Sequence, residues 1–331
     1  LEREKLLMLL LCNYYLTYRC NAYCEFCHFG VHENFKDTPY AKLEDFKSNV
    51  TQLASLGVRF IDLTGGEPLL HKEVHVFAEF AKSLGLQTSI TTNTLLYPKF
   101  AEKLAGKINL LHFSLDSPDE EEHNRIRKVD CYNQIFKSID VAKSLGEYPD
   151  ILFTVTNDTY KKLPRMHEIA AKNNLVLLVN PVFSYFGNPG LTDEAVEYVD
   201  EYCNGKSDIY LNKGFMKLRL DGGNDINKPK CKAVSRVVVI SPYNEIILPC
   251  YHFENERIKI DRPIKEIRKS EKIKYFKKME GRFDFCSGCT VNCYFEPSFA
   301  FPTNLYSVAS LTSKFKYSYQ KLIKQKIKKI L

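Results

Sequence analysis

The stretch Leu16-Thr17-Tyr18-Arg19-Cys20-Asn21-Ala22-Tyr23-Cys24-Glu25-Phe26-Cys27 places three thiols within eight residues, directly after Leu10-Thr17, a run with the composition of a β-strand. Five more strand-like runs follow: Arg59-Thr64, Gln87-Thr92, Leu110-Leu115, Ile151-Thr156 and Val176-Val182. Between them, segments such as Lys42-Leu56, Val74-Leu84, Asn133-Leu145 and Leu163-Asn173 repeat apolar residues at helical spacing. Strands alternating with helices predict an α/β fold with a parallel sheet, and the nearly continuous apolar character of the strands suits a sheet covered on both faces. Six βα units are too few to close an eight-stranded barrel. The expectation is an open, partial (β/α)6 TIM-like barrel with its ligand site at the C-terminal ends of the strands, where the three cysteines fall.

After about residue 183 the pattern changes. A connection rich in Gly, Asn and Pro (Ser184-Gly190), a helix near Thr192-Asn204 and a glycine-rich polar stretch, Asp221-Lys230, read as a domain boundary. Beyond it, Arg236-Ile240 and Glu245-Leu248 flank Ser241-Pro242-Tyr243-Asn244 as a β-hairpin, and helical pieces follow over Ile264-Met279. The expected organisation is a barrel over 1–190, a connecting segment over 191–230, a smaller cysteine-rich domain over 231–300 and a basic amphipathic tail over 301–331.

The chain has 331 residues, 44% apolar and 26% charged, enough to bury a large core. No apolar run approaches the roughly 18 residues of a membrane span, and the opening stretch Leu6-Leu11 lacks a cleavage site, so a cytoplasmic protein is expected. Eleven cysteines in such a chain point to metal or redox work rather than disulfides. Cys12, Cys131 and Cys203 stand alone and read as core. The net charge of +7 is spread along the chain, with no nucleic-acid-reading signature, and nucleic acid is not an expected partner.

A cuboidal four-iron cluster has four corners, so three thiolates leave one iron open to a ligand that is not protein. Zinc is the alternative, but a structural zinc closes with four ligands in paired spacing, and this loop offers three cysteines and His28. Cys-x3-Cys-x2-Cys, with Phe26 before the last cysteine, resembles the signature loop of the radical S-adenosylmethionine (radical SAM) superfamily. The resemblance implies a [4Fe-4S] cluster on Cys20, Cys24 and Cys27 whose open iron chelates the methionine moiety of S-adenosylmethionine. It also implies reductive cleavage to a 5'-deoxyadenosyl radical and a flavodoxin or ferredoxin as reductant.

Further segments at strand ends agree. Gly65-Gly66-Glu67 resembles the family's Gly-Gly-Glu motif for the methionine amino group, and paired glycines allow close backbone approach. Asn93 matches a Thr-Asn-Gly segment in which Thr94 departs from the family's glycine. Ser114 and Asp116 end strand four, Thr156 and Asn157 end strand five, and Arg127 matches an arginine near the methionine carboxylate. All are expected contacts of the cofactor.

The late cysteines, Cys231, Cys250, Cys286, Cys289 and Cys293, resemble the SPASM/twitch appendage of one branch of that superfamily, and imply an auxiliary [4Fe-4S] cluster. Five candidates compete for at most four places, and a structural zinc suits the Cys286-x2-Cys289 pair as well. The tail from Lys314 to Leu331 carries seven lysines and no acidic residue, with Phe315, Tyr319, Leu322, Ile323, Ile327 and Ile330 at helical spacing. It can lie on an anionic membrane at the inner face, or dock on the barrel. The expected activity is hydrogen abstraction from an unactivated carbon of a lipid-like or small-molecule substrate. The first strand is entered within about ten residues, where peptide maturases often carry a leader-binding domain, and this favours that expectation over peptide maturation. A non-catalytic electron carrier is the second alternative.

Overall fold

The computed structural model describes residues 9–30, 32, 35–185, 187–301 and 304–324, the last three by backbone only. Six strands, β1 (Leu11–Thr17), β2 (Phe60–Gly65), β3 (Gln87–Thr92), β4 (Leu110–Ser114), β5 (Asp150–Val155) and β6 (Leu177–Pro181), run parallel in sequence order. Each lies within a residue or two of its predicted place. Helices α1 (Leu43–Ser55), α2 (Val74–Ser83), α3 (Tyr97–Leu104), α4 (Glu120–Arg127), α5 (Tyr132–Ser144) and α6 (Leu163–Lys172) make the crossovers. Helix α1 shows why: Phe46, Val50 and Leu53 recur at i, i+4 and i+7, and all three are buried against the sheet. Each such side chain contributes roughly 1.5 to 3 kcal/mol by leaving water.

The strands alternate rather than presenting apolar residues on both faces. In β2, Ile61 and Leu63 enter the core beneath the helices, while Asp62 and Thr64 point the other way. Register aligns Asn13 with Asp62 and Asp62 with Ser89, giving the inner face a polar row, and the Ser89 hydroxyl donates to Asp62 at 2.6 Å. The barrel thus has an apolar outer seam and a polar interior.

Both sheet edges are extended. After helix α7 (Asp193–Cys203), β7 (Ile209–Tyr210) pairs with β6, and helix α8 (Lys213–Leu220) follows. After helix α9 (Ala233–Arg236), strand β8 (Val237–Ile240) pairs parallel with β1, and β9 (Glu245–Leu248) and β10 (Glu256–Lys259) continue antiparallel, giving ten strands among the described residues. The expected hairpin therefore shares its sheet with the barrel. Its turn ends on Asn244 at φ 61°, a left-handed position that asparagine tolerates.

Helices α10 (Ile264–Ile267), α11 (Glu271–Met279), α12 (Asn292–Ser298) and α13 (Leu305–Ser318) follow. The aromatic run over α12 packs inward: Tyr294, Phe295 and Phe299 are buried, so it fills the appendage. Helix α13 docks on α8 through a small-residue face. A Cβ on Gly214 would lie 2.4 Å from the Tyr306 carbonyl oxygen, Asn212 donates to the Ser310 hydroxyl at 2.9 Å, and the Lys213 amide donates to Ser313 at 3.1 Å. Lys321 and the Tyr317 hydroxyl both reach the buried Asp150, at 2.7 and 2.6 Å. The described part of the tail is thus docked on the barrel, with Phe315 and Tyr319 exposed; Ile327 and Ile330 lie outside the described residues. Among the described residues, no helix is long and apolar enough to cross a membrane.

Candidate functional site

The cysteine loop is pinned by hydrogen bonds from three directions. Gly66 and Glu67 amides donate to the Thr17 and Arg19 carbonyls at 3.1 and 2.9 Å; Tyr23 and Glu25 amides donate to the Arg127 and Ile126 carbonyls at 3.0 Å each. Asn93, at the end of β3, donates to the Asn21 side chain at 2.7 Å. A Cβ on Gly65 or Gly66 would lie 2.1 Å from the Thr17 oxygen or 2.3 Å from the Arg19 oxygen. The close approach these glycines make is to the loop's own backbone. Gly30, not singled out from the sequence, serves the same end: a Cβ there would meet the Ala22 oxygen at 1.9 Å.

Glu67 is 1% exposed and its carboxylate accepts three bonds, from the Leu69 amide (3.0 Å), the Thr92 hydroxyl (2.8 Å) and the Asn93 amide (2.9 Å). Burial still pushes its pKa up, the bonds working against that shift. Asp116 and Arg127 pair with each other: one carboxylate oxygen receives both Nε and Nη2 at 2.6 Å, and the second accepts the Thr154 amide at 3.1 Å. Thr94, next to Asn93, adopts φ 68° with its hydroxyl buried and unpartnered, a left-handed backbone that the family's glycine would adopt without penalty.

Beside the loop is a cavity of about 160 Å³ whose lining includes Phe26, Asp116, Thr156 and Asn157. Its far wall is the connection after β6, held by Asn188 donating to the Phe26 carbonyl at 3.1 Å and by Asn157 donating to the Gly190 carbonyl at 2.9 Å. Ser114 is buried at the end of β4, outside that lining. A larger cavity of about 480 Å³, between Tyr40–Glu44 and Leu70–Glu73, contains none of the expected site residues.

The three thiols feel one another's charge. Burial pushes Cys20 up to about 12 and Cys27 up to about 11, with the Ala22 and Phe29 amides pulling back, and raises Cys24 against the nearby Arg127. Without a positive partner such thiols stay protonated at neutral pH. A metal centre is the kind of partner that makes them thiolates, so the donor set fits an iron-sulfur cluster. Among the described residues no three His, Cys, Asp or Glu side chains converge on a point suited to a single metal ion.

Four of the late cysteines come from three places. Cys231 precedes α9, Cys250 follows β9, and Cys286 and Cys289 lie ahead of α12. Cys231 feels Cys289 and Cys250, while Cys250 feels Cys289 and Cys286. Their organiser is Asn224, from the stretch read as a boundary. Its amide donates to the Cys289 carbonyl (3.0 Å), its carbonyl accepts the Gly288 amide (2.9 Å), its side-chain oxygen accepts the Lys230 amide (3.0 Å), and its side-chain nitrogen donates to the Gly281 and Cys286 carbonyls (2.8 and 3.1 Å). Cys293, within α12, is exposed, and the charge acting on it most strongly is that of Asp62, with Cys289 a weaker influence. Cys12, Cys131 and Cys203 are buried singles.

With that geometry in view, residues 14–170 match the family model for the Radical SAM superfamily. Over that span, just under half of its length, the chain is similar to a radical SAM domain. It is by that kinship an enzyme, with its reaction class open. It is similar to a GTP 3',8-cyclase of Desulforamulus reducens, 34% identical over 141 residues, or 40% of this chain and 42% of the relative. It is also similar to a probable GTP 3',8-cyclase of Methanococcus maripaludis, 26% identical over 82% of this chain and 94% of the relative. The chain thus spans less than half the length of the first relative and nearly all of the second. In fold it resembles Streptococcus suis SuiB bound to S-adenosylmethionine (TM-score 0.65, 17% identity, 87% of this chain and 71% of that one). It likewise resembles native anSMEcpe with bound AdoMet (TM-score 0.65, 18% identity, 96% and 98%).

Proposed function

We propose that this chain is a radical SAM enzyme acting on a polar small molecule. Cys20, Cys24 and Cys27 would hold a [4Fe-4S] cluster, and the cavity beside them the adenosine end of S-adenosylmethionine. When bound, the reduced cluster supplies the electron that cleaves S-adenosylmethionine to a 5'-deoxyadenosyl radical able to take hydrogen from an unactivated carbon. The observation that carries the reading is the pinned cysteine loop with that cavity alongside, lined by Phe26, Asp116, Thr156 and Asn157. The chain's own part is to fix the loop through Gly66, Glu67 and Asn93, hold Asp116 against Arg127, and wall off water with the connection around Asn188. An electron carrier has no use for such a cavity.

The late cysteines support an auxiliary [4Fe-4S] cluster in a twitch-like unit over 231–300, with Cys231, Cys250, Cys286 and Cys289 as ligands and Cys293 apart. A polar inner face favours a small polar substrate over a lipid-like one, and the relatives named GTP 3',8-cyclase make GTP the first nucleotide to test. Peptide maturation is the second reading; the likeness to SuiB and anSMEcpe supports the fold only. Flavodoxin or ferredoxin is the proposed reductant. Contact of exposed Phe315 and Tyr319 with an anionic membrane is a separate proposal, which liposome flotation with and without the tail tests.

The deciding experiment is anaerobic reconstitution with iron and sulfide, then dithionite and S-adenosylmethionine, with chromatography for 5'-deoxyadenosine. Wild type should form it and a Cys20, Cys24, Cys27 triple alanine variant should not. A fully reconstituted wild type that forms none, with GTP and peptides supplied, would favour the electron carrier.

A further inference from the structure

Arg219, near the end of α8, lies across the join between the barrel and the late cysteine loop. Its Nη2 donates to the Pro181 carbonyl at the end of β6 (3.3 Å), to the Thr290 carbonyl (3.2 Å) and to the Asn292 side chain (3.0 Å). All three acceptors are neutral. Nη1 is buried with no hydrogen-bond partner, and among the described residues no carboxylate forms an ion pair with this guanidinium. Burial lowers its pKa to about 10, still far above neutrality, so the charge is retained.

A cation taken out of water without a counter-charge costs several kcal/mol. Through the Thr290 carbonyl Arg219 sits one residue from Cys289, and the influence between Arg219 and Cys289 is mutual. Neutral thiols offer it nothing. Four thiolates around an iron-sulfide core leave the centre net negative, and each added electron makes it more so. Because Nη1 is sealed from solvent, Arg219 is placed to answer that charge rather than to hold a diffusing substrate.

We infer that Arg219 is the resident counter-charge of the late cysteine centre, a positioning and tuning residue that raises its reduction potential. The inference rests on the reading that Cys231, Cys250, Cys286 and Cys289 bind a cluster. The barrel set is different in kind, because its nearby cation, Arg127, is already neutralised by Asp116. Arg219 would therefore bias the late centre toward taking an electron, from an external low-potential reductant or from a substrate radical, before the barrel centre does.

The test is a redox titration of the reconstituted full chain followed by electron paramagnetic resonance, with Arg219→Met and Arg219→Lys. In Arg219→Met the reduced-to-oxidised ratio of the late centre at a fixed solution potential should fall at least tenfold, about 59 mV for one electron. The barrel centre should not move, and Arg219→Lys should stay within about threefold of wild type by keeping the charge. Loss of the late iron in Arg219→Met but not Arg219→Lys also supports a charge role. An unchanged ratio in Arg219→Met with both clusters retained overturns the inference. So does an equal shift, or equal loss of iron, in the two variants, since hydrogen-bond geometry is then what matters. A wild type that binds only about four irons per chain fails the two-cluster reading itself and removes the inference with it.

Discussion

The two cysteine sets are built by opposite means. Cys20, Cys24 and Cys27 share one loop, which strand ends hold from outside through Gly66, Glu67 and Asn93. Cys231, Cys250, Cys286 and Cys289 come from distant points, and Asn224 ties the segment of Cys231 to that of Cys286 and Cys289 and to Gly281. Their electrostatics differ too: the first set faces a compensated pair, Asp116 and Arg127, and the second an uncompensated Arg219. A local set needs clamping; a dispersed set needs an organiser and a charge balance.

The sharpest way to break the contrast is to give the barrel set an unpaired cation. Asp116→Asn leaves Arg127 buried without its carboxylate, and should cost about 4 kcal/mol of stability, read from the urea midpoint, while moving the barrel cluster to higher potential. A smaller effect tests the organiser. Asn224→Ala removes the side-chain bonds to Lys230, Gly281 and Cys286, and should cost about 3 kcal/mol and lose the late iron while the barrel iron stays, as counted in colorimetric iron assays.

The barrel interior adds a pH-dependent difference. Burial raises Asp62 from its ordinary 3.8 to about 6, against the Ser89 bond. Between those values the unfolded chain has released the proton and the folded chain has not, so stability falls as pH rises from about 4 to about 6 and the whole penalty is present above. Asp62→Asn should therefore stabilise by about 2 kcal/mol at pH 8 and not at all below pH 4, a dependence that thermal denaturation at the two pH values will reveal or deny. Smallest is Thr94→Gly, which removes a β-branched residue from φ 68° and should gain about 1 kcal/mol by the same measurement.

Much of this was legible in the sequence because the ligands of the first set are neighbours and the core strands carry their own periodicity. The polar alternation of β2 and β3 was readable in principle: Asp62, Thr64, Ser89 and Thr91 stand at every second position. Helix α4 was hidden because its opening Glu120-Glu121-Glu122 has no apolar repeat, and α3 because it begins Tyr97-Pro98. Asn224 and Arg219 could not be found, since a glycine-rich polar stretch and a lone arginine acquire their roles only when β8 joins β1 and brings the late loops onto the barrel. The parallel pairing of β8 with β1 is likewise invisible in a segment that reads as a self-contained hairpin.

The central claim is that the two sets hold two centres with different duties, and the most direct measurement is the electron paramagnetic resonance spectrum of dithionite-reduced protein with and without S-adenosylmethionine. In the Cys231, Cys250, Cys286, Cys289 quadruple alanine variant a single cluster signal should remain and should change on adding S-adenosylmethionine; in the Cys20, Cys24, Cys27 variant a single signal should remain and should not change. A late-set signal that responds to S-adenosylmethionine, or a barrel-set signal that does not, would contradict the account.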